Sequence, residues 1–178
     1  MNIRTATRED APQIQALYKA VARETTGLAR REHEISDNYV MGFVSKSVES
    51  GLIIVAENPD GSGKLIGEIH AYNPGIDVFR HVLSDLTIAV HPAFQGRKIG
   101  RTLFTIFLEE IAVNRPHIGR VELITRESNV KAIKFYQSLG SLVEGRLEMR
   151  IRTPENHYEA DIPMGWQNPN FEFDNELS

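Results

Sequence analysis

The segment from Val82 to Ile111 constrains the fold more than any other part of the sequence. It begins with VLSDLTIAV, in which apolar and more polar residues alternate, and this period of two predicts a strand with one buried face. The loop HPAFQGRKIG follows, and Ile99, Leu103 and Phe107 then recur at helical spacing. The chain therefore passes from a strand through a loop into a helix, and the next strand, VELIT, is expected to lie parallel to the first.

Periodicity, turn formers and helix caps predict the remaining elements. They are a short strand at residues 2–6, a helix from about Asp10 to Arg23, a second helix that Asp37 caps and Gly51 ends, a β-hairpin formed by LIIVAE and LIGEIHAY, a helix from about Asn129 to Leu139, and two strands at about Leu142–Ile151 and Tyr158–Trp166. This order predicts an α+β (mixed α/β) fold, with a central mixed twisted sheet of about seven strands flanked by about four helices.

Composition excludes several classes of protein. The 178 residues suit one domain, which we expect to span residues 1–166, followed by a polar acidic tail at 167–178. The formal net charge of −4 argues against nucleic-acid binding. There is no cysteine for a disulfide, a zinc site or a nucleophile, no spacing that suggests metal ligands, and no apolar run near the roughly 20 residues of a membrane span. We therefore expect a soluble, cytoplasmic protein with no membrane partner and no metal.

The loop after the central strand has the composition of a phosphate site. Gly96 and Gly100 let the backbone approach a ligand closely, and Arg97, Lys98 and Arg101 supply positive charge. The first amides of the following helix, and its dipole, also favour an anion there. The alternative is a surface turn with solvated basic side chains. The glycine spacing fits neither a P-loop nor a GxGxxG dinucleotide motif.

The loop QGRKIG, residues 95–100, resembles the pyrophosphate loop of the GNAT superfamily of acyl-CoA N-acyltransferases. That loop has Gln or Arg, two residues, Gly, one residue, and then Gly or Ala. A second stretch, ESNVKAIKFYQSLG at 127–140, is similar to the Asn, Ala, Tyr, Leu, Gly helix of the same family. The resemblance continues through the last two strands and is nearest to bacterial amino-acid and amine acetyltransferases. It departs from the family at Lys98, where a glycine is usual, and at Ser141, where Phe is most frequent.

The resemblance implies a binding site for acetyl-CoA as cosubstrate. Asn129 is implied to contact the pantetheine arm, and Tyr136 to lie beside the thioester sulfur. The strand residues 88–90 are implied to offer backbone amides, one of them to the thioester oxyanion, because this strand diverges from its parallel neighbour in the family. The residues expected to bind acetyl-CoA are Ile88, Ala89, Val90, Gln95, Gly96, Arg97, Lys98, Ile99, Gly100, Arg101, Thr102, Asn129, Phe135 and Tyr136.

Acetyl transfer to an amine needs an acid and a base. An amine with a pKa of about 10.4 is mostly protonated at pH 7 and must lose a proton to attack, whereas the departing thiolate must gain one. Tyr136 is the candidate acid. Asp85 is the preferred base and Glu68 the second candidate, although either can be an ordinary strand carboxylate. His70 and His91 can also titrate near neutrality, or can be structural.

The sequence thus predicts an acetyl-CoA-dependent N-acetyltransferase that acts by direct attack of a primary amine on the thioester. The amine belongs to a small molecule, an amino acid, a peptide or a protein. Candidate contacts for it are Tyr18, Glu24, Arg30 and Arg31, although a solvated surface explains the charges equally well. Two alternatives stay open: a catalytically weak acyl-CoA-binding regulatory module and a nucleotide-phosphate-binding protein. A homodimer is a further hypothesis.

Overall fold

The computed structural model describes residues 1–24, 28–153 and 155–172. The helices in these ranges are α1 (Ala11–Glu24), α2 (Asp37–Ser50), α3 (Ile99–Asn114) and α4 (Val130–Gln137). The strands are β1 (Asn2–Thr5), β2 (Gly51–Glu57), β3 (Leu65–Tyr72), β4 (Val82–Val90), β5 (Arg120–Arg126), β6 (Leu142–Val143), β7 (Leu147–Arg152) and β8 (Tyr158–Gln167). No helix within the described ranges combines the length and the apolar character needed to cross a bilayer.

The strands form one mixed sheet in the order β1-β2-β3-β4-β5-β8-β6, with β7 also paired to β8. Strands β1 to β4 pair antiparallel, β4 and β5 pair parallel, and β8 is antiparallel to β5. Helix α3 connects the two parallel strands, so the predicted crossover is confirmed, as is the mixed α/β class.

Helices cover both faces of the sheet, and β2 shows how the sequence specifies this. Leu52, Ile54 and Ala56 pack into the core formed with α3 and α4, whereas Ile53 and Val55 pack into the core formed with α1 and α2. Successive side chains of a strand point to opposite faces, so a strand buried on both sides is apolar throughout. Each large aliphatic side chain buried in this way stabilises the fold by about 1.5–3 kcal/mol.

Two helices begin one residue away from the predicted position. Ser36, not Asp37, caps α2, because its hydroxyl accepts the N–H of Tyr39 at 3.2 Å. Asn129 precedes α4 rather than belonging to it, and its Oδ1 accepts the N–H of Ala132 at 3.2 Å. Short polar side chains bond in this way to amides that have no partner in the first helical turn.

The prediction of one continuous strand over residues 142–151 is wrong. Strand β6 pairs with residues 164–165 of β8, and β7 pairs with its residues 158–161. Pro163 of β8 lies between these two regions, and its carbonyl accepts the N–H of Glu144 at 3.0 Å. The N–H and C=O of a strand residue point the same way, so the missing proline N–H faces this edge and interrupts the ladder. The sheet therefore has eight strands rather than about seven.

The centre of the sheet is split between β4 and β5. Only Val82 and Leu83 of β4 pair with β5. Just beyond them, the register between β3 and β4 shifts, and Asp85 has a left-handed φ of 57°. Such a bulge bends its strand. The rest of β4 diverges from β5, and no strand in the described ranges pairs with the edge of β4 that faces the gap.

Candidate active site

The gap between β4 and β5 contains a narrow cavity of about 120 Å³. Its wall combines the diverging ends of both strands with the N-cap and the inner face of α4. The lining residues are Leu28, Ala29, Leu86, Thr87, Ile88, Ile124, Thr125, Arg126, Asn129, Tyr136 and Asp161. The structure thus brings Ile88, Asn129 and Tyr136 together, as the family resemblance implies.

Tyr136 presents a phenol to the narrow cavity from an apolar surrounding. The residue is 9 % exposed, and the centroid of its ring lies 5.3 Å from those of both Phe104 and Phe135. Burial raises the pKa of Tyr136 to about 12, so the phenol keeps its proton at neutral pH. Its hydroxyl makes no hydrogen bond to any residue that the structure describes, and it is available to a ligand. Phe135 supports this ring but does not line the narrow cavity.

The other strand residues expected at the cofactor contribute main chain. Ile88, Ala89 and Val90 pair with Ile69, Glu68 and Gly67 of β3 on one side only. The side chain of Ala89 is buried towards α1 and α2. The amides along the open edge of β4 are therefore what this strand can offer to an extended ligand.

The loop before α3 carries a run of unpaired amides. Within the described part of the chain, no acceptor takes the backbone N–H of the residues from Gly96 to Arg101, and the first amide bonded is that of Thr102, to the Lys98 carbonyl at 3.0 Å. The last three of these donors form the first turn of α3, a helix of 16 residues whose dipole adds positive potential at the same place. The arrangement is suited to a diphosphate, which accepts several such bonds at once.

The loop side chains divide into exposed cations and structural contacts. Arg97, Lys98 and Arg101 are exposed, and the Arg97 guanidinium lies 5.0 Å from the centre of the Phe94 ring. Ile99 is buried in the core, and its contribution to a ligand is limited to its amide. The side chains of Gln95 and Thr102 donate to the carbonyls of Val90 and Lys98, at 3.3 and 3.2 Å.

Lys98, which replaces the usual glycine, adopts the backbone conformation that glycine favours. Its φ of 64° and ψ of 8° lie in the left-handed region. A residue with a Cβ loses about 1–2 kcal/mol there, and glycine avoids that loss. We expect Lys98→Gly to have a free energy of unfolding about 1 kcal/mol higher than Lys98→Ala, by urea denaturation. Equal stability of the two variants would contradict backbone strain at residue 98.

A large cavity of about 620 Å³ adjoins the narrow one and shares Leu28, Ala29, Leu86, Thr87 and Ile124 with it. Aromatic rings from α1, α2 and β3 line one side, and charged side chains of β4, β5 and β7 line the other. The polar and aromatic members are Tyr18, Arg30, Tyr39, Phe43, His70, Tyr72, Ser84, Asp85, Thr87, Arg120, Glu122, Glu144 and Arg150. Of the predicted acceptor contacts, Tyr18 and Arg30 are present, Arg31 borders a neighbouring cavity of about 490 Å³, and Glu24 lines none of these cavities.

The two carboxylates considered as bases differ in access to the large cavity. Asp85 is exposed on its wall and accepts a hydrogen bond from the Tyr72 hydroxyl at 2.7 Å. Burial, and then this bond, raise the pKa of Tyr72, so Tyr72 acts as the donor. Glu68 is wholly buried behind the wall and does not line the cavity.

Two histidines have different surroundings. His70 lines the large cavity, and its Nδ1 lies 2.9 Å from Glu68 Oε1. Residues two apart on a strand share a face, so the period of β3 is the sequence signal that could have linked Glu68 with His70. His91 lies just after β4, and its Nδ1 accepts the N–H of Ala93 at 3.3 Å, which stabilises the turn before the loop.

Comparison with known proteins gives consistent matches. A family model described as "Acetyltransferase (GNAT) family" matches residues 14–140. The L-amino acid N-acyltransferase MnaT of Escherichia coli (strain K12) is 24% identical over 148 residues, which are 83% of each chain. Mycothiol acetyltransferase of Mycobacterium marinum is 34% identical over 94 residues, which are 47% of this chain and 27% of that protein.

Solved structures show the same fold. The Salmonella typhimurium protein yncA, solved with its cofactor acetyl-CoA, has a TM-score of 0.81 at 20% identity, and the match covers 99% of this chain and 98% of that one. The phosphinothricin acetyltransferase of Sinorhizobium meliloti, in complex with acetyl-CoA, has a TM-score of 0.80 at 16% identity, with 96% and 89% covered. At these identities the likeness concerns the fold.

Proposed function

The chain belongs to the acetyltransferase (GNAT) family, and from this premise we propose that it transfers the acetyl group of acetyl-CoA to the primary amine of a small molecule. The observation that carries the proposal is that one strand, β4, lines the narrow cavity with Leu86, Thr87 and Ile88 and ends just before the loop with the unpaired amides of residues 96–101. The loop would hold the diphosphate, the open edge of β4 would bond the pantetheine arm, and the thioester would reach Tyr136.

The large cavity is the proposed site of the amine. It shares Leu86 and Thr87 with the narrow cavity, so an amine bound in the large cavity would lie next to the thioester. Its mixture of cationic and carboxylate side chains suits a zwitterion. The relative in Escherichia coli named as an L-amino acid N-acyltransferase supports an amino acid as the acceptor.

Tyr136 is the proposed proton donor to the leaving thiolate. The amine nitrogen attacks the thioester carbon, the carbon–sulfur bond breaks, and the phenol hydrogen-bonds to the sulfur and supplies its proton. Two groups on the other side can accept the proton of the amine: Asp85 directly, and Glu68 through His70.

A binding experiment separates this proposal from its alternatives. Acetyl-CoA and CoA are expected to raise the Tm, whereas a nucleotide-phosphate-binding protein would be stabilised at least as well by ATP. Release of CoA thiol over a panel of amino acids and amines then distinguishes an enzyme from a binding module. The chain has no cysteine, so it contributes no thiol to this assay. Absence of any shift with acetyl-CoA would contradict the proposal.

We also propose that residues 1–166 act as one catalytic domain and that two copies form a homodimer. Exposed apolar side chains at the β6–β7 edge support a contact between copies, namely Leu142, Val143, Leu147 and Met149. Light scattering of Met149→Lys against the unaltered chain tests the dimer.

A further inference from the structure

A cluster of three buried polar side chains joins the aromatic wall of the large cavity, which includes Tyr18 and His70, to Glu68 behind it. Glu68 is 0 % exposed, its Oε2 accepts from the Tyr18 hydroxyl at 2.6 Å, and its Oε1 lies 2.9 Å from His70 Nδ1. The Tyr18 hydroxyl is also 3.3 Å from the same nitrogen. A buried carboxylate destabilises a fold unless it is well bonded, and here both oxygens of Glu68 have a partner.

One polar atom of the cluster has no partner within it. The Tyr18 hydroxyl bonds to Glu68 Oε2, and His70 Nδ1 bonds to Glu68 Oε1 and lies 3.3 Å from the Tyr18 hydroxyl. No residue in the described ranges bonds to His70 Nε2, and the His70 ring lines the large cavity. Because the Glu68 carboxylate accepts the proton on Nδ1, the lone pair of the neutral ring is on Nε2.

We infer that His70 Nε2 takes the proton from the acceptor ammonium, and that Glu68 and Tyr18 are positioning residues that fix the ring for this step. The inference rests on the proposed function and chooses among the bases that the function leaves open. The aromatic neighbours support a fixed ring. Phe43 stacks on His70 with centroids 4.2 Å apart and planes at 8°, and the Tyr72 ring is parallel to it within 5°.

The buried carboxylate has a physical role in this step. When His70 becomes an imidazolium, Glu68 provides a counter-charge that is already in place, as a buried carboxylate does for the histidine of a Ser-His-Asp triad. Burial raises the pKa of Tyr18 far above its ordinary value, so Tyr18 stays a neutral donor. The other charged groups nearby are Asp85, bonded to Tyr72, and Arg30 and Lys46, which lie over the Tyr39 and Tyr72 rings.

Asp85 is less suited to accept the proton. It is exposed and already accepts a hydrogen bond from the Tyr72 hydroxyl at 2.7 Å, whereas His70 Nε2 has no partner in the described ranges. An exposed carboxylate on the cavity wall is better suited to attract and hold the arriving ammonium. We therefore expect Asp85→Asn to raise the KM of the amine, and His70 substitutions to change kcat and the pH profile.

The proton balance of the transfer is complete. An ammonium R–NH3⁺ gives one proton to His70 Nε2, and the neutral nitrogen attacks the thioester carbon. As the carbon–sulfur bond breaks, the sulfur receives a proton from Tyr136 and the nitrogen loses its second proton to solvent, which reprotonates the phenolate. His70 then returns its proton to solvent. The products are the amide, CoA thiol and one proton.

The test is the pH profile of kcat/KM for the amine, measured by CoA release from about pH 6 to pH 10. His70→Gln keeps a polar side chain of similar size, and His117→Gln is the matched control, because His117 is exposed and lines neither cavity. We expect His70→Gln to lose roughly 10- to 100-fold at pH 7 and to recover towards the rate of the unaltered enzyme near pH 10, where the amine deprotonates by itself. Glu68→Gln and Tyr18→Phe should shift the acid limb of the kcat/KM profile, and His117→Gln should leave the profile unchanged.

Two results would overturn the inference. One is a normal pH profile in a folded His70→Gln protein that binds acetyl-CoA. The other is a ¹⁵N NMR spectrum of the unaltered protein in which neutral His70 carries its proton on Nε2, a measurement that needs no variant to fold. If the unaltered protein transfers acetyl to no amine, the proposed function fails and the inference with it. Turnover that is insensitive to His70 rejects the inference alone.

Discussion

Tyr136→Phe is expected to lower kcat by about 10²-fold or more at pH 7 and to leave the Kd of acetyl-CoA within about twofold. The substitution removes only the hydroxyl, which bonds to no residue in the described part of the chain, and retains the ring that packs on Phe104 and Phe135. The loss should therefore appear in catalysis rather than in stability. Steady-state CoA release gives kcat, and calorimetric titration gives the Kd.

The pH dependence of this variant provides a second check. Because burial raises the pKa of Tyr136 to about 12, the phenol does not titrate below about pH 10 in the unaltered enzyme. Any limb of the profile below that pH must come from another group and should persist in Tyr136→Phe. Tyr158→Phe, at an exposed tyrosine of β8, is the matched control and should keep the full rate. A Tyr136→Phe enzyme with an unaltered kcat would exclude the phenol as the acid.

Gly51→Ala is expected to lower the free energy of unfolding by at least about 3 kcal/mol, the upper part of the range for overpacking. A Cβ at residue 51 would lie 2.1 Å from the carbonyl oxygen of Ala71 and 2.6 Å from the Cα of Tyr72. Both are backbone atoms of β3, the strand paired with β2, so no side-chain rotation can relieve the overlap. The strands would have to separate at the start of their ladder.

Urea denaturation monitored by circular dichroism measures this loss, and Gly42→Ala is the control. Gly42 is exposed in α2, and a Cβ there would have no atom within 4 Å, so alanine should stabilise the protein by up to about 1 kcal/mol. If the two glycine substitutions had similar effects, the close approach of β2 and β3 at residue 51 would be disproved.

Local sequence signals predict the elements well where one physical cause dominates. The period-two alternation of residues 82–90 and the helical repeat of Ile99, Leu103 and Phe107 predict β4 and α3, because each pattern has one geometry that buries its apolar residues. The residues of β6 and β7 do not predict the break between these strands, because its cause, Pro163, lies on the neighbouring strand β8. The sequence does not show that Ser36 rather than Asp37 caps α2, because both residue types can cap a helix and only the position of the backbone distinguishes them.

In the candidate site, too, some features depend on local sequence and others on residues that are distant in the chain. The glycines, the basic loop and the stretch around Tyr136 are local, and the sequence predicts where an acyl-CoA ligand would lie. The roles of individual side chains depend on distant partners. Asn129 caps α4, and Lys98 occupies a left-handed conformation, neither of which a residue type alone predicts.

The sequence by itself determined the order of strands and helices, the strand–loop–helix joint at residues 82–111 and the family, because these depend on periodicity and on motifs that are contiguous in the chain. Only the tertiary structure decided which polar groups meet. Tyr18 is 50 residues from Glu68, and the two bond at 2.6 Å only because α1 packs against the same face of β3 that carries Glu68 and His70. A hydrogen bond depends on distances of a few tenths of an ångström, and those are set by the packing of the whole sheet and its helices rather than by any short segment.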